Sequence, residues 1–370
     1  MRLKLKVVIT IIVSIIIGLL IIFFFDKYNK NTLSGELNIL VNDSNYEYIN
    51  SVSEKFMKEN PKVNIKINSI KDSNYDKELE KDISKGKTND ISLAYSEKID
   101  EFLKEKVDLL DFSDVIKTYK MNFSKRSLQG VYKENSYKGV PFEAYPLALY
   151  LREDLLKEYG YSFEDIKTWD EIIDMGKYIY KKSYGKVKAL NATGSDYKYL
   201  EILVFMQNLE KTNDFKKAKE DSNKFLEKLK KDNILSLNEE TGFVGRINSV
   251  DVINEIEGLS VKCMWTANSA PSKEISGNRF FVRNGYNLIA FNKDYKKNNL
   301  AKEFIIYLTN DTEDSLKYTL KGDIFSSYIY TYRNSEIEKE VKNFYKKSPF
   351  VILSNILEKA PELKEIKETK

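Results

Sequence analysis

The chain has no histidine and a single cysteine, Cys263, among its 370 residues. Without imidazole, neither a Ser-His-Asp nor a Cys-His nucleophile system can be assembled from this chain alone. Histidine-ligated zinc is excluded, and one thiol supplies neither a Cys₄ site nor an internal disulfide. Any folding outside the cell must therefore rely on core burial. Glycine-rich phosphate loops are missing too. Gly86-Lys87-Thr88 resembles the end of a P-loop, but Lys81 stands where the motif needs glycine. There is no G-x-G-x-x-G. Asp311, Glu313 and Asp314 lack the glycine and the spacing of a calcium loop. These motifs imply no cofactor and no metal.

A strong charge of one sign is also lacking. There are 60 Lys and Arg against 56 Asp and Glu. Three of the basic residues, Arg2, Lys4 and Lys6, precede an apolar segment, so the remainder is close to neutral. Lysines alternate with acids along amphipathic stretches such as Asp76 to Lys81 (DKELEK). That pattern describes a solvated helix face rather than a phosphate-tracking stripe, and no nucleic-acid partner is expected. The 25 tyrosines belong with a general abundance of Lys, Asn and Ile, so their number alone signals no binding site.

One long hydrophobic run is present. Val7 to Phe25 (VVITIIVSIIIGLLIIFFF) is 19 residues without a charge. As a helix it would span roughly 28 Å, close to the hydrocarbon thickness of a bilayer. The run ends Phe23-Phe24-Phe25-Asp26 with no small-x-small cleavage site and no cysteine to carry a lipid. The expectation is an uncleaved, single-pass anchor. The preceding basic residues favour the N-terminus inside and the main domain extracellular at the cell membrane. Asp26 to Ser34 (DKYNKNTLS) reads as a short tether.

The outer segment is long enough for two lobes. Leu37 to Val41 reads as a buried strand, followed by helical spacing at Ile49, Val52 and Phe56, which Pro61 stops. Val63, Ile65 and Ile67 alternate with polar residues as in a strand. Tyr75, Leu79 and Ile83 mark another helix, and Ile91 to Tyr95 another strand. Strand-helix-strand-helix-strand implies right-handed crossovers and a parallel sheet covered by helices. Thr168-Trp169-Asp170-Glu171 fits a capping box. Helices are expected at Tyr197 to Leu209, Lys216 to Lys231, Val250 to Ile256, Asn299 to Thr309 and Thr312 to Leu320. Strands are expected at Val261 to Trp265 and Leu288 to Phe291. Ser335 to Glu338 gives a second capping-box match, ahead of Ile337, Val341 and Phe344.

The order of these segments resembles the bacterial extracellular solute-binding proteins of family 1, the sugar-type receptors of ABC importers. Four stretches carry the resemblance. Gly35 to Lys62 (GELNILVNDSNYEYINSVSEKFMKENPK) is similar to that family's opening strand, ligand loop and first helix. Gly139 to Tyr159 (GVPFEAYPLALYLREDLLKEY) resembles its inter-lobe crossover, and Thr168 to Ile172 (TWDEI) the helix start that follows. Gly285 to Thr309 (GYNLIAFNKDYKKNNLAKEFIIYLT) resembles its return to the first lobe. The chain departs from the family in lacking the lipid-bearing cysteine. Its late loop reads Gly322-Asp323-Ile324-Phe325-Ser326, where the family often carries proline.

The resemblance implies a two-lobe, type II periplasmic-binding-protein-like α/β fold. Each lobe would be a mostly parallel sheet flanked by helices, preceded by one N-terminal transmembrane helix. The expected organisation is a basic cytoplasmic end at 1–6, the anchor at 7–25 and a linker at 26–34. Residues 35–145 and 283–325 would form the first lobe and 146–282 the second, with C-terminal helices over 326–370 packed mainly on the second lobe. A solute, expected to be a sugar or oligosaccharide, would sit between the lobes and pass to ABC permease subunits. Candidate contacts are Asn42, Asp43 and Ser44 after the first strand, Tyr95 after another, Glu143 and Tyr145 on the crossover, Trp265 and Tyr286.

Each candidate has a plainer alternative. Asp43 and Ser44 could cap a helix, Tyr95 could be a surface aromatic, and Trp265 could be core. Trp169, at a helix start, is assigned to structure, and Cys263 to a buried small hydrophobe. Arg279 and Arg283 would either meet an anionic ligand or line the surface. Two other functions compete: a surface sensor that reuses the fold, and a glycoside-acting enzyme with paired carboxylates. No enzyme is expected.

Overall fold

The computed structural model describes residues 33–238, 241–261 and 263–363, together with Gly18. The rest of the anchor expected at 7–25, its basic flank and most of the linker lie outside the described residues. Among the described residues, no helix is long and apolar enough to cross a membrane.

Among the described residues, fourteen strands follow in chain order. They are β1 (Gly35–Asn42), β2 (Val63–Ile70), β3 (Ile91–Ala94), β4 (Tyr132–Lys133), β5 (Ser136–Tyr137), β6 (Val140–Pro141) and β7 (Ala144–Pro146). Then come β8 (Ala148–Arg152), β9 (Val187–Asn191), β10 (Leu235–Ser236), β11 (Gly242–Asn248), β12 (Trp265–Ser269), β13 (Val282–Asn284) and β14 (Asn287–Ala290). Two five-stranded sheets form, ordered β2-β1-β3-β14-β6 and β10-β9-β11-β8-β12. In each sheet one strand, β14 or β8, runs against its neighbours while the others run together. The two-lobe, mostly parallel α/β arrangement expected from the sequence is thus observed, and both lobes share one layout.

Local chemistry explains this layout. Leu37, Ile39 and Val41 on one face of β1 and Leu40 on the other are all buried, as a central strand covered on both sides requires. In β2, an edge strand, buried Val63 and Ile65 alternate with exposed Asn64 and Lys66. Helix Asp43–Glu59 buries Tyr48, Ile49, Val52 and Phe56 against the first sheet. The capping box at Thr168 is present: its hydroxyl accepts from Glu171 N–H, and the Glu171 carboxylate accepts from Thr168 N–H. Trp169 is buried, and its indole N–H donates to Gln207 at 2.8 Å, the structural role expected of it.

The second capping-box match does not open a helix. Ser335–Glu338 is a single 3₁₀ turn, capped by the Asn334 side chain accepting from Glu336 N–H. The C-terminal helix is instead Pro349–Lys359, with proline in its first turn, where a missing N–H costs nothing. Its Leu353, Ile356 and Leu357 pack in one cluster with Val252, Ile256 and Trp265 of the second lobe. Beyond it, Leu363 joins the second-lobe core while its backbone meets Gln129 of the first lobe. Leu363 thereby straps the two lobes.

Among the described residues, three segments cross between the lobes. β7 pairs antiparallel with β13. Residues 325–327 run alongside, with Ala144 N–H donating to Phe325 and Ser327 N–H to Phe142, both at 2.9 Å. Ligand clefts in open α/β sheets lie at carboxyl strand ends, and these crossings place the ends of β1, β3, β9 and β11 towards the gap.

Candidate ligand-binding cleft

The floor of the gap is Glu143, the residue before β7. It is buried, yet no cation pairs with it among the described residues. Burial pushes its carboxyl above the usual carboxylate range, opposed by hydrogen bonds from the Asn45 side chain, the Tyr286 backbone and Tyr145. The Tyr145 hydroxyl donates to Glu143 Oε2 at 3.3 Å. Gly285 makes this site possible. A Cβ there would lie 2.5 Å from Glu143 Cβ and 3.0 Å from its carbonyl carbon, so the returning strand packs directly against the crossover. Gly285 N–H donates to the Glu143 carbonyl at 3.1 Å, which fixes that approach.

Tyr145 is one of four tyrosines gathered at this end of the gap. Tyr95, at the end of β3, stacks on Tyr286 with ring centroids 4.1 Å apart and planes at 28°. Tyr145 on β7 faces Tyr199 of helix Gly194–Thr212 at 6.4 Å, bringing a second-lobe ring to the gap. The Tyr199 hydroxyl donates to Asp251 Oδ2, at the start of a second-lobe helix. The Arg283 guanidinium lies 5.5 Å from the Tyr95 ring centroid and 5.3 Å from that of Tyr145. Burial raises the Tyr95, Tyr199 and Tyr286 hydroxyls above their ordinary values; the Glu143 charge, then burial, does so for Tyr145. All four rings therefore stay neutral and can both donate and accept. Asp76 adds a carboxylate behind Tyr286, raised chiefly by burial, with one oxygen left without a partner.

Such a set can hold a polyhydroxylated ring. Tyr95 and Tyr145, the two half-buried rings, offer stacking area beside the buried Tyr199 and Tyr286, and buried carboxylates accept hydroxyls through charge-assisted hydrogen bonds. Among the described residues, no group of acids and cysteine is placed to hold a metal ion.

The structure brings Tyr95, Glu143, Tyr145 and Tyr286 together. Asn42 lies at the same end of β1, but its side chain is buried and committed, donating to Asp72 and accepting from Asn45 at 2.8 Å. Asp43 and Ser44 are exposed in the first turn of helix Asp43–Glu59; the capping position is Asn42, and it makes no side-chain cap. Trp265 stands away from the gap. It does not end a strand at the gap but begins β12, whose register pairs Trp265 with Arg152 and Ser269 with Ala148. Because β8 leaves the crossover at Ala148, Trp265 sits at the far end of the second lobe. There it is buried, with the Arg152 guanidinium 5.8 Å from its ring and Phe344 bridged to its backbone. It serves as core, not as a platform at the gap.

The sequence did not single out Asn45, Tyr199 or Asp251, and it assigned Asp76 to a solvated helix face, whereas the fold turns its carboxylate inwards. Asn45 and Asp76 each fall within the first turns of a helix that follows a first-sheet strand, a position that could have flagged them. Tyr199 and Asp251 reach the gap only through the second-lobe topology. Beside the cluster, a cavity of about 790 Å³ opens between the lobes, with Tyr95, Ser96 and Arg126 on one wall and Ile202, Phe205 and Met206 on the other.

A polar, aromatic gap floored by crossing segments between two lobes of one layout defines a two-domain binding protein. Residues 42–314 match the model of the bacterial extracellular solute-binding proteins, and the chain belongs to that family. A lactose-binding protein of Rhizobium radiobacter is 25% identical over 173 residues, a match that spans 43% of this chain and 39% of that relative's length. The sugar-binding protein MalE of Xanthomonas citri superposes with a TM-score of 0.73 at 14% identity, covering 90% of this chain and 88% of that one. A cyclic α-maltosyl-1,6-maltose binding protein of Arthrobacter globiformis gives 0.72 at 11% identity, over 90% and 89%. These structural likenesses speak for the fold. The family is one of binding proteins, not enzymes.

Proposed function

We propose that this protein is a membrane-anchored extracellular receptor that captures a carbohydrate between its lobes and delivers it to an ABC importer. The observation that carries the reading is the cluster of Tyr95, Glu143, Tyr145, Tyr199 and Tyr286, contributed by both lobes and by the crossing strand. Stacking faces beside a buried carboxylate suit a sugar ring better than an apolar solute. The sugar-binding names of its structural relatives support the same class. Asp43 and Ser44, exposed at the start of their helix, belong to this proposal as outer contacts, and Asn42 as the buried residue beneath them. Closure follows if the ligand touches both lobes, because only differential affinity for the closed state can shift the hinge. The apolar run Val7 to Phe25 supports the anchor.

Isothermal titration of the purified full-length chain against mono- and oligosaccharides tests the ligand class. One-site binding of at least one saccharide is expected; no heat from any of them would refute it. Protease shaving of intact cells tests the topology, with residues from 33 onward expected to be digested. Co-purification with permease subunits tests delivery.

A further inference from the structure

The cavity between the lobes carries two arginines that no carboxylate neutralises at close range. Arg126 stands on helix Lys125–Val131 of the first lobe. Its Nη1 donates to Gln129 Oε1 at 3.0 Å, while its Nε is sealed from solvent and has no acceptor. Glu97 is its charged neighbour, exposed to water and in no ion pair among the described residues. Arg283, on β13, has tyrosine rings rather than carboxylates around its guanidinium.

The other cations on this wall are already matched. Lys133 pairs with Asp100 at 2.7 Å, and Lys98 lies between Glu80 and Glu101. The opposite wall is apolar, made of Ile202, Phe205 and Met206. A guanidinium with an unused buried donor is costly until an acceptor arrives, and an apolar wall strengthens the pairing that results.

We propose that this cavity is an anion subsite, and that Arg126 and Arg283 take the acid group of an anionic saccharide. The proposal rests on the receptor reading above and deepens it. The sugar ring would lie on the tyrosine cluster, with its carboxylate or sulfate turned into the cavity. Arginine suits this role because its planar fork binds such groups in bidentate fashion. Arg126 comes from the first lobe and the apolar wall from the second, so the acid group also favours the closed state.

Titration of the purified full-length chain with digalacturonate, neutral galactobiose and a sulfated galactobiose tests this. At low salt the uronate is expected to bind at least about thirtyfold more tightly than galactobiose, an advantage that shrinks as ionic strength rises. A gain limited to the uronate assigns a carboxylate subsite; a gain shared by the sulfate assigns a general anion subsite; both support the proposal. Arg283→Gln and Arg126→Gln should each reduce the acid-to-neutral affinity ratio by about tenfold. Arg126→Lys keeps the charge, guards against misfolding, and should give a ratio between those of the parent and Arg126→Gln, because the charge stays but the bidentate fork is lost. Equal affinity for acid and neutral sugars, or an unchanged ratio in folded Arg283→Gln, would overturn the subsite and leave the receptor reading standing. Absence of binding by all three sugars would overturn the subsite too, and only a failure across the wider saccharide panel would also remove the receptor reading.

Discussion

Replacing Glu143 by glutamine tests the cleft floor in two ways at once. The folded protein holds this carboxyl buried, without a cation, and burial raises its pKa above the unfolded value. Between the unfolded and the folded pKa the native state therefore binds more protons. Stability from this group is greatest below the unfolded value, about 4.3, and declines as pH rises through the folded one. Glu143→Gln should remove that decline: its melting temperature at pH 7.5 should equal or exceed that of the parent, while the parent gains relative to it on acidification. Binding should respond in the opposite sense. If ligand hydroxyls donate to the ionised carboxylate, the change removes charge-assisted hydrogen bonds of about 1.5–3 kcal/mol. That corresponds to about tenfold to a hundredfold in Kd. Parallel calorimetric titration and thermal melts between pH 4.5 and 8 read both effects. Unchanged affinity, or a uniform loss of stability at every pH, would refute the role given to Glu143.

Gly285→Ala places a methyl group against Glu143, where backbone atoms cannot give way. Thermal melts should show a loss of about 1–3 kcal/mol, accompanied by weaker ligand binding. Trp265→Ala should cost about 3–5 kcal/mol in denaturant titrations, yet leave the affinity of the folded protein within about twofold, because the ring lies away from the gap; an affinity loss without a stability loss would contradict its placement. Arg246→Met strands Asp196, a buried carboxylate that it pairs with at 2.8 Å; urea titration should show a loss of about 3–5 kcal/mol. Gln129→Ala releases the Leu363 backbone and loosens the strap between the lobes. Hydrogen exchange should accelerate at Leu363, and unchanged exchange there would show that the strap does not depend on Gln129.

The first lobe was legible because its signals are local. The alternation of Val63, Ile65 and Ile67 and the helical spacing of Ile49, Val52 and Phe56 each report on one element, and their order dictates a parallel sheet. The floor at Glu143 and Tyr145 followed from the crossover stretch. Trp265 stands elsewhere because Val261 to Trp265 looks like a buried strand, while pairing with β8 shifts the strand to Trp265–Ser269. That shift moves its start to the far end of the lobe. Ser335 and Glu338 have capping-box spacing, but Asn334 caps a single turn and the apolar Phe350 to Leu357 segment forms the helix instead. Tyr199, Asp251 and Arg126 gave no signal. In a chain with 25 tyrosines, 56 acids and 60 bases, residue type says little, and only the folded arrangement separates these from the others.

In the proposed function a hinge shuts on a saccharide. Spin labels at Met121→Cys and Tyr184→Cys, exposed sites on the first and second lobe, report it through dipolar distance measurement on the full-length chain carrying Cys263→Ser. Saturation with a saccharide that gives heat on titration should move the distance distribution to a new, narrower maximum. An identical distribution with and without that saccharide would contradict closure.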